Sequence, residues 1–130
     1  MSKWMSDDLL DLALSEIKNN ATKICFCEGQ PASYAEATTE KGSGGKKLAS
    51  VDVNSGDFSG PADGDVSGRK LTVAAEEGIE IGVTGSINHI AIVDDGNSEL
   101  LAVTTCVEMS VSSAETVSME SWKIEVADPV

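Results

Sequence analysis

SINHIAIVDDGNSELLAVTTC, residues Ser86 to Cys106, decides the fold class. Ser86 to Val93 is apolar on both faces through Ile87, Ile90, Ala91, Ile92 and Val93, as in a strand covered on both sides. Asp94-Asp-Gly-Asn-Ser98 then gathers the residue types that tolerate tight turns, which is a strong hairpin signal. Glu99 to Cys106 is expected to pair back on the first strand.

The same rhythm extends outward in both directions. Upstream, Thr22 to Glu28 alternates, with Ile24 and Phe26 on one face and Cys25 and Cys27 on the other, and Pro31 ends it. Leu48 to Val53 and Arg69 to Ala75 read as strands, the second with Leu71, Val73 and Ala75 on one face. Gly78 to Val83 alternates through Ile79, Ile81 and Val83. Downstream, Val107, Met109 and Val111 continue the alternation and Ser112 to Glu115 is a turn. Val117 to Val126 closes the ladder with Trp122, Ile124 and Val126 on one face. Between these, Tyr34 to Thr38 reads as a short strand or a turn, and Asn54 to Gly68 as a long turn region containing Pro61. Lys41 to Lys47 has the composition of a flexible loop and forms a positive island through Lys41, Lys46 and Lys47.

The ladder is preceded by one amphipathic helix. Ser6 is suited to cap it, and Asp7 and Asp8 sit where the helix dipole favours negative charge. Leu10, Leu14 and Ile17 fall on one face, with Leu9 and Ala13 broadening the stripe, and Lys18 and Asn19-Asn20 mark the end. The expected fold is therefore mainly β: a single-domain antiparallel β-sandwich or barrel preceded by one N-terminal amphipathic α-helix. Residues 1–20 form the helix and residues 21–130 the sandwich, with a flexible loop near 40–47.

Composition narrows the function classes. The 130 residues carry 9 basic and 22 acidic side chains, a net charge of −13. So negative a surface repels phosphate backbones and anionic lipid, which argues against nucleic acid and membrane as partners. The aromatics are only Trp4, Phe26, Tyr34, Phe58 and Trp122, too few for stacking platforms for bases or sugars. The opening residues run into acids rather than an apolar signal region, and no apolar run reaches the roughly 20 residues that span a bilayer.

Little in the chain suits catalysis or metal binding, and none of it forms a recognisable motif. His89 is the single histidine, and Ser86 near it lacks a nucleophile-elbow pattern. Cys25, Cys27, Cys106 and His89 have the residue types of a zinc site but not its spacing, and read as packing residues. The odd count of three cysteines and the i, i+2 spacing of Cys25 and Cys27 argue for reduced thiols, which fits an intracellular origin. Asp63-Gly-Asp-Val-Ser-Gly68 resembles the first half of a calcium loop, but its twelfth position falls on Ala74, where the acid ligand is missing. Asp57, Asp63 and Asp65 are the weak calcium candidates, set against plain turn chemistry. No cofactor and no enzymatic activity is expected.

Several stretches carry a resemblance. They are Asn19-Asn-Ala-Thr-Lys-Ile-Cys25, Tyr34-Ala-Glu-Ala-Thr38, the run from Phe58 to Val73, His89-Ile-Ala-Ile-Val-Asp94, Leu101-Ala-Val-Thr-Thr-Cys106, and Trp122-Lys-Ile-Glu-Val-Ala-Asp-Pro129. In this order, over nearly the whole chain, they resemble a family of small virion structural proteins of tailed bacteriophages, with Lys41 to Lys47 as an insertion. The resemblance implies a capsid decoration, or cement, protein: a homotrimer on the outer capsid surface of the virion, assembled in the bacterial host cytoplasm. Its partner would be the major capsid protein, with stabilised capsomer contacts as the result. Trp4, Leu10, Leu14 and Ile17 are then the candidate partner-binding anchor. The alternatives are a tail or head-fibre structural protein, or a calcium- or carbohydrate-binding adsorption module.

Overall fold

The computed structural model describes residues 4–128. It is mainly β, with antiparallel sheets and one N-terminal helix. Helix α1 spans Asp7–Asn20 and the Ser6 hydroxyl accepts from the Leu9 N–H at 3.2 Å, closing its first turn as the sequence predicts. The nine strands among the described residues are β1 (Lys23–Cys27), β2 (Lys47–Asp52), β3 (Phe58–Asp63), β4 (Arg69–Val73), β5 (Glu76–Glu80), β6 (Gly85–Asp94), β7 (Glu99–Val111), β8 (Thr116–Met119) and β9 (Trp122–Val126).

They form a four-stranded sheet in the order β2-β1-β6-β7, a three-stranded sheet in the order β3-β4-β9, and the pair β5-β8. β6 lies inside the larger sheet, as its two-sided apolar pattern requires. Ile24 is in register with Ile92, and Phe26 with Ile90. Residues in register share a face, so these four build one side of the core. Leu48, Phe58, Leu71, Val73, Ile79 and Met119 join them from the other strands in one contiguous cluster. The opposite face of the large sheet carries Cys25, Cys27, Ala91 and Val93 and is also buried.

What covers that second face is a short helix, α2, at Tyr34–Thr38, in place of the short strand or turn that the sequence predicts. The Ser33 hydroxyl accepts from the Glu36 N–H at 3.2 Å, and the Glu36 carboxylate accepts from the Ala32 N–H at 2.9 Å. Ala37 thereby reaches the two cysteines with no exposed surface. The Tyr34 hydroxyl donates to Asp95 at 2.7 Å and ties α2 to the β6–β7 turn. That turn is an Asx turn: buried Asp94 accepts from the Gly96 N–H at 2.9 Å and the Asn97 amide at 2.7 Å.

Two further expectations need correction. Asn54 to Gly68 is not all turn, since Phe58–Asp63 forms β3. Gly60 and Pro61 interrupt its register with β4 between Ser59 and Ala62, which an edge strand tolerates. Val117 to Val126 is not one strand but β8 and β9, belonging to different sheets. The Lys41–Lys47 segment is a hydrogen-bonded turn: Gly45 N–H donates to Glu40 at 3.2 Å, Lys46 N–H to Glu36 at 2.9 Å, and Lys47 N–H to Thr39 at 3.0 Å. Lys41 is also paired with Glu28 at 2.6 Å, so the island is partly neutralised.

Helix α1 packs on β3, β4 and the Ser55–Asp57 turn. Leu10 and Leu14 are buried beneath it, and Ile17 packs against the core. Lys18 donates to the Gly60 carbonyl at 3.0 Å from the far end. Leu9 and Ala13, expected to widen the buried stripe, face outward instead.

Candidate functional site

The expected anchor of Trp4, Leu10, Leu14 and Ile17 is not one surface. Leu10 and Leu14 retain only 3% and 1% of their exposure, because the chain's own strands use that face of α1. As folded, neither presents apolar area to a partner. Trp4 stands apart, 83% exposed. The large apolar residues that α1 leaves accessible are Leu9 and Leu12, with Trp4 and Met5 exposed in the segment just before the helix. Leu9 and Leu12 are spaced i, i+3, which sets them side by side on one face of the helix. α1 is thus apolar on two sides: one inserted into the fold, one open. A helix that serves only to cap its own sheet needs one apolar stripe, so the second marks a candidate contact surface.

The calcium candidates are separated by their bonds. Asp63 accepts from Arg69 at 2.6 Å, and Asp65 accepts from both Lys70 and Lys123 at 2.6 Å. The two lysines hold the Asp65 carboxyl down at about 2. Asp57 instead caps the Asn54 N–H at 2.9 Å, next to Glu76, whose carboxyl is pushed up by burial and by that neighbour. These three aspartates are therefore turn and ion-pair residues. Among the described residues no cluster of His, Cys, Asp and Glu has the arrangement of a metal site.

The cysteines and His89 are likewise split. Cys27 and His89 are directly opposed in register, on the face covered by α2. Cys106 packs against the main core on the other side of the sheet. Burial pushes the Cys25 thiol up to about 11 and the Cys27 thiol up to about 12, the reverse of what a nucleophile or a metal thiolate requires. The His89 ring meets the Asn88 side chain at 2.7 Å, and Asn88 accepts from the Gly29 N–H at 2.7 Å.

A second surface was not legible from the sequence reading. It is a cleft of about 610 Å³ between β7 and the corner joining β8 to β9. Phe26, Ile87, Ile90 and Met119 reach it from the core, and Trp122 stands at its wall. The Trp122 indole N–H donates to the Met119 sulfur at 3.3 Å, fixing that wall. One sequence signal was available. Val117 and Met119 occupy odd positions, whereas Trp122, Ile124 and Val126 occupy even ones. An unbroken strand cannot turn both sets to one core, so the chain must bend at Glu120-Ser121.

No protein-family model matches this chain, and neither a curated protein nor a solved structure does so.

Proposed function

We propose that this chain is a non-enzymatic virion structural protein of a tailed bacteriophage, a capsid decoration protein. In this reading homotrimers bind the major capsid protein on the outer surface of the shell and stabilise contacts between capsomers. The observation that carries the reading is the outward apolar face of α1, Leu9 and Leu12, together with Trp4 and Met5 exposed just before the helix, which the fold leaves open. The resemblance of the segments from Asn19 to Pro129 supports the same role.

The physical requirements of such a protein agree with the chain's properties. A cement contact acts through many copies on a closed shell, so a modest patch per copy suffices. The net charge of −13 suits basic loops on the partner, which would set orientation and speed encounter. Removing Leu10 or Leu14 would disturb the fold, whereas removing Leu9 or Leu12 would disturb only the contact.

The test is quantitative mass spectrometry of purified virions from the encoding phage, scaled to the major capsid protein. A ratio near one to one is expected. A handful of copies per particle would move the protein to a tail or fibre. Absence from the particle would overturn the virion role. Paired Leu9→Ser and Leu12→Ser substitutions, with an unchanged melting temperature, are expected to release the protein from purified capsids.

A further inference from the structure

We propose that the cleft between β7 and the β8–β9 corner receives an extended segment of a partner protein that adds as a strand to the edge of β7. The segment would be apolar at alternate positions and flanked by lysine or arginine. This inference names the chemistry of a partner and stands independently of the virion reading.

The first support is the edge itself. β7 ends its sheet and pairs only with β6 among the described residues. From Ala102 to Thr105 it keeps unbroken register with Ile92 to His89. Its free side therefore presents a regular row of backbone donors and acceptors. Natural sheets usually guard such an edge with lysine, proline or a covering element. The β7 sequence ELLAVTTCVEMSV contains neither lysine nor proline. Its register shifts lie outside the Ala102–Thr105 stretch, near Leu100 and between Thr105 and Met109, so they frame that stretch without closing it.

The second support is the space beside the edge, which the cleft opens from Thr104 to Val107, overlapping the end of the regular stretch. Across the cleft lies β9, itself the end strand of the three-stranded sheet. The floor is apolar, through Phe26, Ile90 and Met119. An added strand would turn alternate side chains onto this floor while its backbone pairs with β7.

Charge selects the partner. Among the described residues Glu120, which lines the cleft at the corner, has no ion-pair partner, whereas Lys123 on the same wall is held by Asp65 at 2.6 Å. The rim therefore carries uncompensated negative charge and favours a basic-flanked segment. A second copy fits poorly. β7 offers Glu99 and Glu108 and no basic residue, so two antiparallel β7 edges would bring like charges together.

The experiment uses the full chain and two synthetic peptides, an alternating valine–threonine core flanked by lysines and the same core flanked by glutamates. Amide hydrogen exchange is read along β7, with affinity from titration calorimetry. The lysine-flanked peptide is expected to protect amides within Ala102–Thr105, to weaken with added salt, and to bind about tenfold tighter than its counterpart. Glu120→Lys, at an exposed position on the rim, is expected to remove that preference without changing the melting temperature. Absence of β7 protection with either peptide overturns the proposal, as does equal affinity for both. Protection of β7 that grows with protein concentration alone would overturn it in favour of a second copy.

Discussion

Arg69 on β4 grips Asp11 on α1 with two hydrogen bonds, Nε to Oδ1 at 2.8 Å and Nη2 to Oδ2 at 3.3 Å. Its Nη1 reaches Asp63 at 2.6 Å. The guanidinium is held above its ordinary pKa, chiefly by the Asp11 bond. A fork-to-fork pair fixes direction as well as distance, so this contact sets how α1 lies across β4. It also explains why the outer stripe of the helix is presented in one orientation.

Arg69→Lys retains the charge but loses the fork, and is expected to lower the melting temperature by a few degrees, with Arg69→Ala lowering it further. In a double-mutant cycle, Asp11→Ala and Arg69→Ala should be less than additive, because each breaks the same bond. Strict additivity in thermal melts would show that the pair does not hold the helix.

The two sides of α1 are expected to respond differently to truncation. Leu14→Ala empties a buried site and should cost about 2–5 kcal/mol in urea unfolding. Leu12→Ala, at a residue 67% exposed, should stay within about 0.5 kcal/mol. Equal losses would mean that the outward stripe is also part of the folding core.

Asp65 and Glu76 should give pH effects of opposite sign. The Lys123 and Lys70 bonds bring the Asp65 carboxyl from 3.8 to about 2. Its stabilisation is then present above pH 3.8 and lost as pH falls through about 2. Asp65→Asn should flatten that acid limb in pH-dependent melts. Burial and Asp57 push the Glu76 carboxyl up, so its favourable contribution exists below its ordinary pKa and is lost as pH rises through the raised value. Glu76→Gln should therefore stabilise the protein at pH 7 and change little in acid.

Thiol labelling should sort the cysteines by burial. At pH 8 in the native state Cys25 and Cys27, pushed up to about 11 and about 12, are expected to resist an aromatic disulfide reagent. Cys106, partly exposed, should label first and slowly, since its thiol is raised as well. Denaturation should release all three at once. Rapid native labelling of Cys25 or Cys27 would mean that α2 lifts from the sheet.

Gly68 is expected to resist replacement. It adopts φ +69°, and a Cβ there would collide with the carbonyl oxygen of Val126, the β9 residue in register with Arg69 of β4. Gly68→Ala should cost more than about 1 kcal/mol in chemical unfolding. Gly78→Ala, at φ +66° in open space, should bear only the backbone strain and cost less.

Much of this architecture is written in local pattern. The Ser6 cap, the β6–β7 hairpin around Asp94 and the alternation of Ile24 and Phe26 against Cys25 and Cys27 each depend on neighbours within a few residues. Other local signals were present and outweighed. Ser33-Tyr-Ala-Glu36 is a capping sequence for α2, yet the segment was too short for helical periodicity to declare itself. Gly60 and Pro61 masked β3, because residues that break a central strand are tolerated at an edge.

The sequence by itself determined a mainly antiparallel β-fold with one capped helix, since backbone period and turn chemistry are local properties of the chain. Tertiary structure alone decided which sides of those elements were left over. α1 has apolar residues on two sides, and only packing on β3 and β4 buries Leu10 and Leu14 while leaving Leu9 and Leu12 in the open. The cleft arises where β7 and β9 end separate sheets, a relationship between residues far apart in the chain. Burial and edge position depend on which distant strands meet, and a periodic pattern cannot encode that choice.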